Sequence, residues 1–121
     1  MEKVTLVLGA SSNPERFAYK AIVSLQRNKI PIIAIGRRDS EVGNLKIRKG
    51  MPVDTITVHT VALYMNAKHQ KEYQDYLLSL NPKRIIFNPG TSNLELAKLA
   101  REHGIEVVED CMLIMLSTGR F

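Results

Sequence analysis

One short segment combines a glycine, small hydroxyl residues and a cation in a way that suits phosphate binding. It reads Gly9-Ala10-Ser11-Ser12-Asn13-Pro14-Glu15-Arg16 and follows an apolar run. A turn of this kind exposes backbone N–H groups and leads to a helix N-terminus, whose dipole favours anions. Arg16 is unfavourable against that dipole, so a bound anion explains its position better than helix stability does. The segment is neither G-x-G-x-x-G nor a P-loop, and an ordinary capped turn is the alternative interpretation.

A second basic feature follows the apolar run Ile32–Ile35, which ends in Gly36, Arg37 and Arg38. Domains that bind NAD usually carry an acidic residue at this place, where it accepts a hydrogen bond from the ribose. Arginine can instead bind a phosphate bidentately. The pair therefore favours a nucleotide with an additional ribose phosphate, and both coenzyme A and NADP meet that description. A solvated arginine pair in a loop is the alternative.

A third group of polar residues comes after the apolar run Arg84–Phe87. Asn88, Pro89 and Gly90 end that run, and hydroxyl and amide side chains follow them as far as Asn93. Ser92 or Asn93 suits a helix N-cap as well as it suits a ligand contact, since both roles use the same side-chain oxygen. We therefore predict a binding loop that also begins a helix.

Short runs of β-branched and other apolar residues alternate with helical patterns along the whole chain. This alternation positions the three candidate binding segments described above. Apolar runs without polar alternation indicate strands that are covered on both faces. The predicted strands are Val4–Leu8, Ile32–Ile35, Asp54–His59, Arg84–Phe87 and Ile105–Val108. Helices are predicted from Asn13, over Asn66–Leu80, over Leu94–His103 with Gly104 as its cap, and in the Met112–Leu116 segment.

This order predicts a single domain over residues 1–121, with a three-layer, doubly wound, mainly parallel sheet of five strands in the order 3-2-1-4-5. The polar stretch 37–53 is predicted to be a loop, with a short hairpin at Leu45–Arg48. Ligands bind such sheets at the carboxyl ends of the strands, where the strand order reverses. Gly9–Arg16 and Asn88–Asn93 are therefore expected to face each other across one crevice.

Composition and charge limit the classes of protein that fit. The chain has 121 residues, one cysteine and a net charge of +5, and the excess of positive charge lies in residues 1–50. A single cysteine fits a reducing compartment, no apolar run reaches membrane-spanning length, and we expect a cytoplasmic protein. The few aromatic residues do not alternate with basic ones, so we expect the basic half to serve a small-molecule nucleotide cofactor and not a nucleic acid.

The motifs together resemble those of the single-domain CoA-binding proteins, which are related to the CoA-binding domain of succinyl-CoA synthetase alpha subunits. The resemblance spans nearly the whole chain. It rests on Gly9-Ala-Ser, Asn13-Pro-x-Arg16, Tyr19, Pro52-Val-Asp54, Pro89-Gly90-x-x-Asn93-x-Glu95 and Ala100-x-x-x-Gly104-Ile105-x-Val107-Val108-Glu109-Asp110-Cys111.

The resemblance implies a doubly wound nucleotide-binding fold and coenzyme A as the cofactor, with NADP left as the alternative. It implies a pyrophosphate loop at Gly9–Ser12 near Arg16, and a nucleotide-facing strand end at Gly36–Arg38. Residues around Val58 and His59, together with Asn88–Gly90, would flank the pantetheine arm. Many members have Asn-Pro where this chain has Gly36-Arg37, which leaves the adenine contact open and strengthens the assignment of a ribose phosphate.

No residue pattern identifies a catalytic group, and we expect a binding module without catalysis. The alternative is an NADP-dependent oxidoreductase or another enzyme that binds a phosphorylated nucleotide. Cys111 follows two carboxylates, which disfavour a reactive thiolate, so we interpret it as structural. The three histidines and the single cysteine have no metal-ligand spacing, and no metal site is expected. The apolar Met112–Leu116 segment suits either a homodimer contact or packing inside one chain.

Overall fold

The computed structural model describes residues 3–52 and 57–121, and within them it contains seven short strands. These strands are β1 (Thr5–Leu8), β2 (Ile32–Ile35), β3 (Ser40–Val42), β4 (Leu45–Arg48), β5 (Thr60–Leu63), β6 (Arg84–Phe87) and β7 (Glu106–Glu109). All belong to one sheet in the order β3-β4-β2-β1-β5-β6-β7. Every pair is parallel except β3 with β4, which form an antiparallel hairpin. The predicted α/β class with a mainly parallel sheet is confirmed.

The prediction of five strands is wrong in number, and one strand was misplaced. The third strand was predicted over Asp54–His59. Residues 53–56 lie outside the described residues, and residues 57–59 lie before the strand that the structure contains in this region. The strand is β5, over Thr60–Leu63, and all four of its residues are buried. Alternation between Thr and apolar residues in 54–59 suggested a strand, but a strand in the middle of a doubly covered sheet is buried throughout and does not alternate.

The strand order also differs from the predicted order 3-2-1-4-5. β5 lies between β1 and β6, in parallel register with both, so that Leu63 is opposite Leu8 on one side and Phe87 on the other. The outer position beside β2, which was predicted for the third strand, belongs to the hairpin of β3 and β4. The predicted hairpin is thus present, and it extends the sheet.

Five α-helices cover the two faces of the described sheet. They are α1 (Phe17–Arg27), α2 (Ala67–Gln70), α3 (Gln74–Ser79), α4 (Leu94–Glu102) and α5 (Met112–Ser117), with a 3-10 turn between α2 and α3. Helix α1 begins later than predicted, because Asn13 caps a turn before it: its Oδ1 accepts a hydrogen bond from the Glu15 N–H at 3.0 Å. Helix α4 has the predicted cap, since Asn93 Oδ1 accepts from the Leu96 N–H.

The core has two parts, one on each face of the sheet. Alternate strand residues such as Leu6 and Leu8 pack with α3 and α4, whereas Val7 packs with α1 and α5. Met112 and Met115 of α5 are buried in the second part. Two side chains of the apolar Met112–Leu116 segment are therefore packed inside one chain, whereas Ile114 in the same segment is 51% exposed. No helix in the described ranges has the length and apolar character that crossing a membrane requires.

Candidate functional site

A cleft of about 920 Å³ opens at the carboxyl edge of the parallel strands. Its walls come from the segments that follow β1, β2, β5 and β6, together with the first residues of α1. Between β1 and β5 the chain connections turn from one side of the sheet to the other, so the cleft lies at the point where ligands bind in doubly wound folds. The volume is within the usual range of small-molecule sites, roughly 300–1,000 Å³.

The turn after β1 forms one wall and depends on a close backbone approach at Gly9. A Cβ atom on Gly9 would lie 2.8 Å from the carbonyl carbon of Tyr64, and the φ angle of Gly9 is +94°. Both conditions exclude a larger residue without strain. The N–H groups of Gly9 and Ala10 donate to the Ile35 carbonyl, each at 2.9 Å. These two amides join β1 to β2 and are not available to a ligand.

The donors of this turn lie further along, at Ser11, Ser12 and the start of α1. Among the described residues no protein acceptor binds the N–H group of Ser11 or of Ser12. Helix α1 follows at Phe17, and its first turn has no side-chain cap and no acidic residue. Uncapped N–H groups at a helix N-terminus attract anions through both hydrogen bonding and the helix dipole. This wall can bind phosphate with backbone amides.

Arginine side chains add positive charge to the same cleft. Arg16, Arg37 and Arg38 all line it and are exposed. Arg37 Nη2 lies 3.3 Å from Nε2 of His69 at the end of α2. No carboxylate in the described ranges forms an ion pair with any of the three guanidinium groups. Their charge is therefore available to an anionic ligand.

Gly36 brings these arginines close to the first wall. A Cβ atom there would lie 2.6 Å from the Ala10 carbonyl oxygen and 2.9 Å from Cγ2 of Ile47. The buried glycine thus lets the end of β2 touch both the turn after β1 and the hairpin. Sequence reasoning assigned Gly36 to ligand binding, and the structure gives it a packing role at the base of the cleft.

Asn88 lines the cleft, but its side chain is used within the protein. Its Nδ2 donates to the Leu63 carbonyl at 3.0 Å, and its Oδ1 accepts from the Met112 N–H at 2.8 Å. It is 3% exposed. Asn88 therefore fixes the ends of β5 and β6 and the start of α5 relative to one another. The next residues, Pro89 and Gly90, are exposed in the cleft.

A buried amide joins two further walls. Gln70 is completely buried, and its Nε2 donates to the carbonyls of Met65 and Thr91 at 2.8 and 2.7 Å. Its Oε1 accepts from Asn93 Nδ2 at 2.9 Å. The segment after β5 is thereby tied to the loop after β6. Sequence reasoning missed Gln70, although a glutamine on the apolar side of a helical pattern is a detectable signal for a buried amide.

Tyr64 and Cys111 also line the cleft and were not assigned to it from sequence. The Tyr64 hydroxyl is buried and has no hydrogen-bond partner among the described residues. Burial raises the pKa of Tyr64 well above its usual range, with a smaller contribution from Cys111. Cys111 is half-buried at the start of α5. A buried hydroxyl without a hydrogen-bond partner is costly to the stability of the fold.

Val58 and His59 do not lie in this cleft, and the prediction that they follow the third parallel strand is wrong. They precede β5 and so lie at the opposite, amino edge of the sheet. There His59 Nδ1 is 2.7 Å from Thr60 Oγ1, which accepts a hydrogen bond from Arg84 Nε at 2.9 Å. Burial, followed by the charges of Arg84, Lys3 and Lys83, lowers the pKa of His59. The residues that follow β5 at the cleft are Tyr64, Met65 and Asn66.

The structure thus brings most of the predicted residues together around one cleft. Twelve of the fourteen line it: Gly9, Ala10, Ser11, Ser12, Asn13, Arg16, Gly36, Arg37, Arg38, Asn88, Pro89 and Gly90. Open amides and guanidinium groups without carboxylate partners in the described ranges suit a ligand with several phosphates. In the described ranges no cluster of His, Cys, Asp or Glu has the arrangement of a metal site.

The chain is similar to known proteins over nearly its whole length. The model of the CoA binding domain family matches residues 3–117. A crystal structure of an uncharacterised protein is 45% identical, with a TM-score of 0.94 and coverage of 100% of this chain and 99% of that one. A hypothetical protein from Pyrococcus horikoshii OT3 is 26% identical, with a TM-score of 0.85 and coverage of 97% and 82%.

A protein from Thermus thermophilus has the same fold at 20% identity, with a TM-score of 0.87 and coverage of 99% of this chain and 91% of that one. None of the curated proteins matches the chain. The family model covers nearly the whole chain, and the first of these structures is similar over its full length. The chain belongs to the CoA binding domain family.

Proposed function

We propose that the chain binds coenzyme A, free or acylated, in the cleft at the carboxyl edge of the sheet. The observation that carries the proposal is the set of three exposed arginines, Arg16, Arg37 and Arg38, around one cleft and without carboxylate partners in the described ranges. Three cations held together repel one another unless an anion binds between them. Coenzyme A carries a pyrophosphate and a 3′-phosphate, which supply that charge.

Each part of the ligand has residues of matching chemistry. The open amides of Ser11 and Ser12, the uncapped start of α1 and Arg16 suit the pyrophosphate. Arg37 and Arg38 suit the ribose phosphate, because guanidinium groups bind phosphate with two parallel hydrogen bonds. Tyr64 and the exposed Pro89 and Gly90 line the cleft and would flank the pantetheine arm.

The proposal describes a binding module and assigns no chemical step to the chain. Its competitor is the binding of NADP, whose 2′-phosphate would meet the same two arginines. The two ligands share a pyrophosphate and an additional ribose phosphate, but only coenzyme A has a pantetheine arm. Comparing them therefore separates the two functions.

A thermal unfolding titration tests the proposal. A ligand that binds only the folded state raises the unfolding free energy by about 2.7 kcal/mol at a hundred times its Kd. We expect the melting temperature to rise with coenzyme A, less with dephospho-coenzyme A, and not with NADP or NAD. A rise with NADP and none with coenzyme A would contradict the proposal and favour the alternative.

Charge-matched variants locate the site. Arg37→Ala and Arg38→Ala should each reduce the rise seen with coenzyme A and leave the smaller rise with dephospho-coenzyme A unchanged. Arg27→Ala removes the same charge from the exposed end of α1, outside the cleft, and is the control. If the rise in melting temperature with coenzyme A were reduced equally in all three variants, net charge alone would account for binding.

A further inference from the structure

An exposed aromatic ring lies at the cleft, and the packing of the chain does not account for it. Phe17 is the first residue of α1 and lines the cleft, with 68% of its surface exposed. A phenyl ring is normally buried, because burial removes a large apolar area from water. Its neighbour in the helix, Ala18, is buried against the sheet side. The helix therefore has an apolar face that does not include Phe17.

The partner that Phe17 does have is a cation. Lys20 Nζ lies 5.2 Å from the centre of the phenyl ring, one helical turn further on. This is the cation–π distance, at which an ammonium group is attracted to one face of a ring. With 68% of its surface exposed, Phe17 keeps ring area on which a flat partner could stack.

The surroundings of the ring indicate what that partner is. Arg16 precedes Phe17 and, like Arg38, lines the same cleft. An apolar peptide or a lipid tail would have to remove these guanidinium groups from water without neutralising them, which is costly. A phosphorylated nucleoside satisfies both features, because its base stacks on the ring and its phosphates pair with the arginines.

We propose that Phe17 is the base-stacking residue of the cleft and holds the adenine ring of the bound nucleotide. This inference rests on the proposed function and adds a contact that neither the sequence motifs nor the family match assigns. Many members of the family have Asn-Pro where this chain has Gly36-Arg37, and the adenine contact was therefore left unassigned. Phe17 would supply that contact.

Fluorescence tests the contact directly. The chain has no tryptophan, so the variant Phe17→Trp contains a single indole, at the proposed contact. Adenosine 3′,5′-bisphosphate, which is the nucleotide part of coenzyme A, should quench its emission in a saturable manner. The other part, 4′-phosphopantetheine, should leave the emission unchanged. Quenching by neither compound, in a variant that binds the bisphosphate with wild-type affinity in calorimetry, would overturn the inference.

Affinity provides a second, independent measurement. Base–aromatic stacking lost on truncation corresponds to roughly a 5- to 150-fold change in Kd, and we expect about tenfold for Phe17→Ala with coenzyme A. The affinity for 4′-phosphopantetheine should not change, and Phe17→Tyr should restore the affinity for coenzyme A. Leu94→Ala is the matched control, because Leu94 is the first residue of α4, is 88% exposed and lies outside the cleft.

The outcomes distinguish the inference from the function on which it rests. Wild-type affinity of Phe17→Ala for coenzyme A would overturn the stacking role and leave the proposed function intact. If the wild-type chain binds adenosine 3′,5′-bisphosphate but not coenzyme A, the proposed function fails and the bisphosphate titrations decide the role of Phe17. If it binds neither, both fail. Should Phe17→Ala not fold, the quenching of Phe17→Trp decides.

Discussion

The two edges of the parallel sheet carry arginines in opposite situations. At the carboxyl edge Arg16, Arg37 and Arg38 are exposed and have no carboxylate partner in the described ranges. At the amino edge Arg84 is only 8% exposed, its Nε donates to Thr60, and its guanidinium lies 4.4 Å from the centre of the Phe121 ring. The same residue type is available to a ligand at one edge and committed to the fold at the other.

This contrast shows that the accessibility of the cations, more than their number, defines the cleft. An arginine that is buried and hydrogen-bonded within the protein is not available to a ligand. An exposed arginine contributes little to stability and keeps its donors for a ligand. Substitutions at the two edges should therefore separate stability from binding.

The largest effect is expected at the glycine that allows the carboxyl edge to close. Gly9→Ala places a Cβ atom against the Tyr64 backbone in a positive-φ conformation. Strain and overpacking together should lower the unfolding free energy by about 3 kcal/mol. Urea denaturation measures this change.

The control for Gly9→Ala is Gly119→Ala, which has a φ of +72° but no described atom within 4 Å of the added Cβ. It should cost only the strain, about 1 kcal/mol. Equal losses in the two variants would show that the approach of Gly9 to Tyr64 has no energetic importance.

At the amino edge, Arg84→Ala should lower stability without weakening ligand binding. The variant removes a hydrogen bond from a charged group and the contact with Phe121, and we expect a loss of about 2 kcal/mol in unfolding free energy. The Kd for coenzyme A, measured by calorimetry well below the melting temperature, should not change. A weakened Kd at unchanged stability would reverse the assignment of the two edges.

Arg38→Ala at the carboxyl edge should show the reverse behaviour. Its effect on unfolding free energy should be within about 0.5 kcal/mol, as for other surface substitutions. The Kd for coenzyme A should rise about tenfold, since a charge-assisted hydrogen bond is worth roughly 1.5–3 kcal/mol. Calorimetry with dephospho-coenzyme A is the comparison. A similar rise in the Kd for dephospho-coenzyme A, which lacks the 3′-phosphate, would show that Arg38 does not contact the ribose phosphate.

The smallest effect concerns pH at the amino edge. Burial and the neighbouring cations hold the pKa of His59 below its ordinary value of 6.5, so the unfolded chain binds a proton more readily than the folded one. Stability should therefore fall as pH decreases below about 6.5, and it should stop falling below the pKa of the folded state. His59→Gln should flatten this part of the pH profile in urea denaturation. An unchanged profile would exclude His59 as its source.

The sequence predicted the fold where one physical signal was sufficient. Apolar runs such as Ile32–Ile35 and Arg84–Phe87 matched the strands at both ends. The sequence did not predict the position of β5. Thr60 continues a run of alternating Thr and apolar residues, and such a run also fits a half-buried strand that ends before Thr60. The hydroxyl of the buried Thr60 is satisfied by a hydrogen bond from Arg84, and a contact across 24 positions has no local signal.

The candidate site was predictable in its loops and not in its internal contacts. Gly9–Arg16 and Asn88–Gly90 follow strands, so strand ends alone place them at one edge. That Asn88 uses both polar atoms of its side chain on Leu63 and Met112 depends on three-dimensional contacts. His69 is exposed on α2 and lies against Arg37, and no local pattern signals that contact across 32 positions.

The hydrogen bonds of Gln70 have a consequence for the thermodynamics of binding. They join the backbone after β5 to the loop after β6 inside the protein, without a ligand. Segments that are already ordered lose little conformational entropy when a ligand arrives, and most of the contact energy then appears as affinity. A flexible ligand with a long arm pays an entropic cost of its own. Because Gln70 already orders these two segments, the protein would add little to that cost.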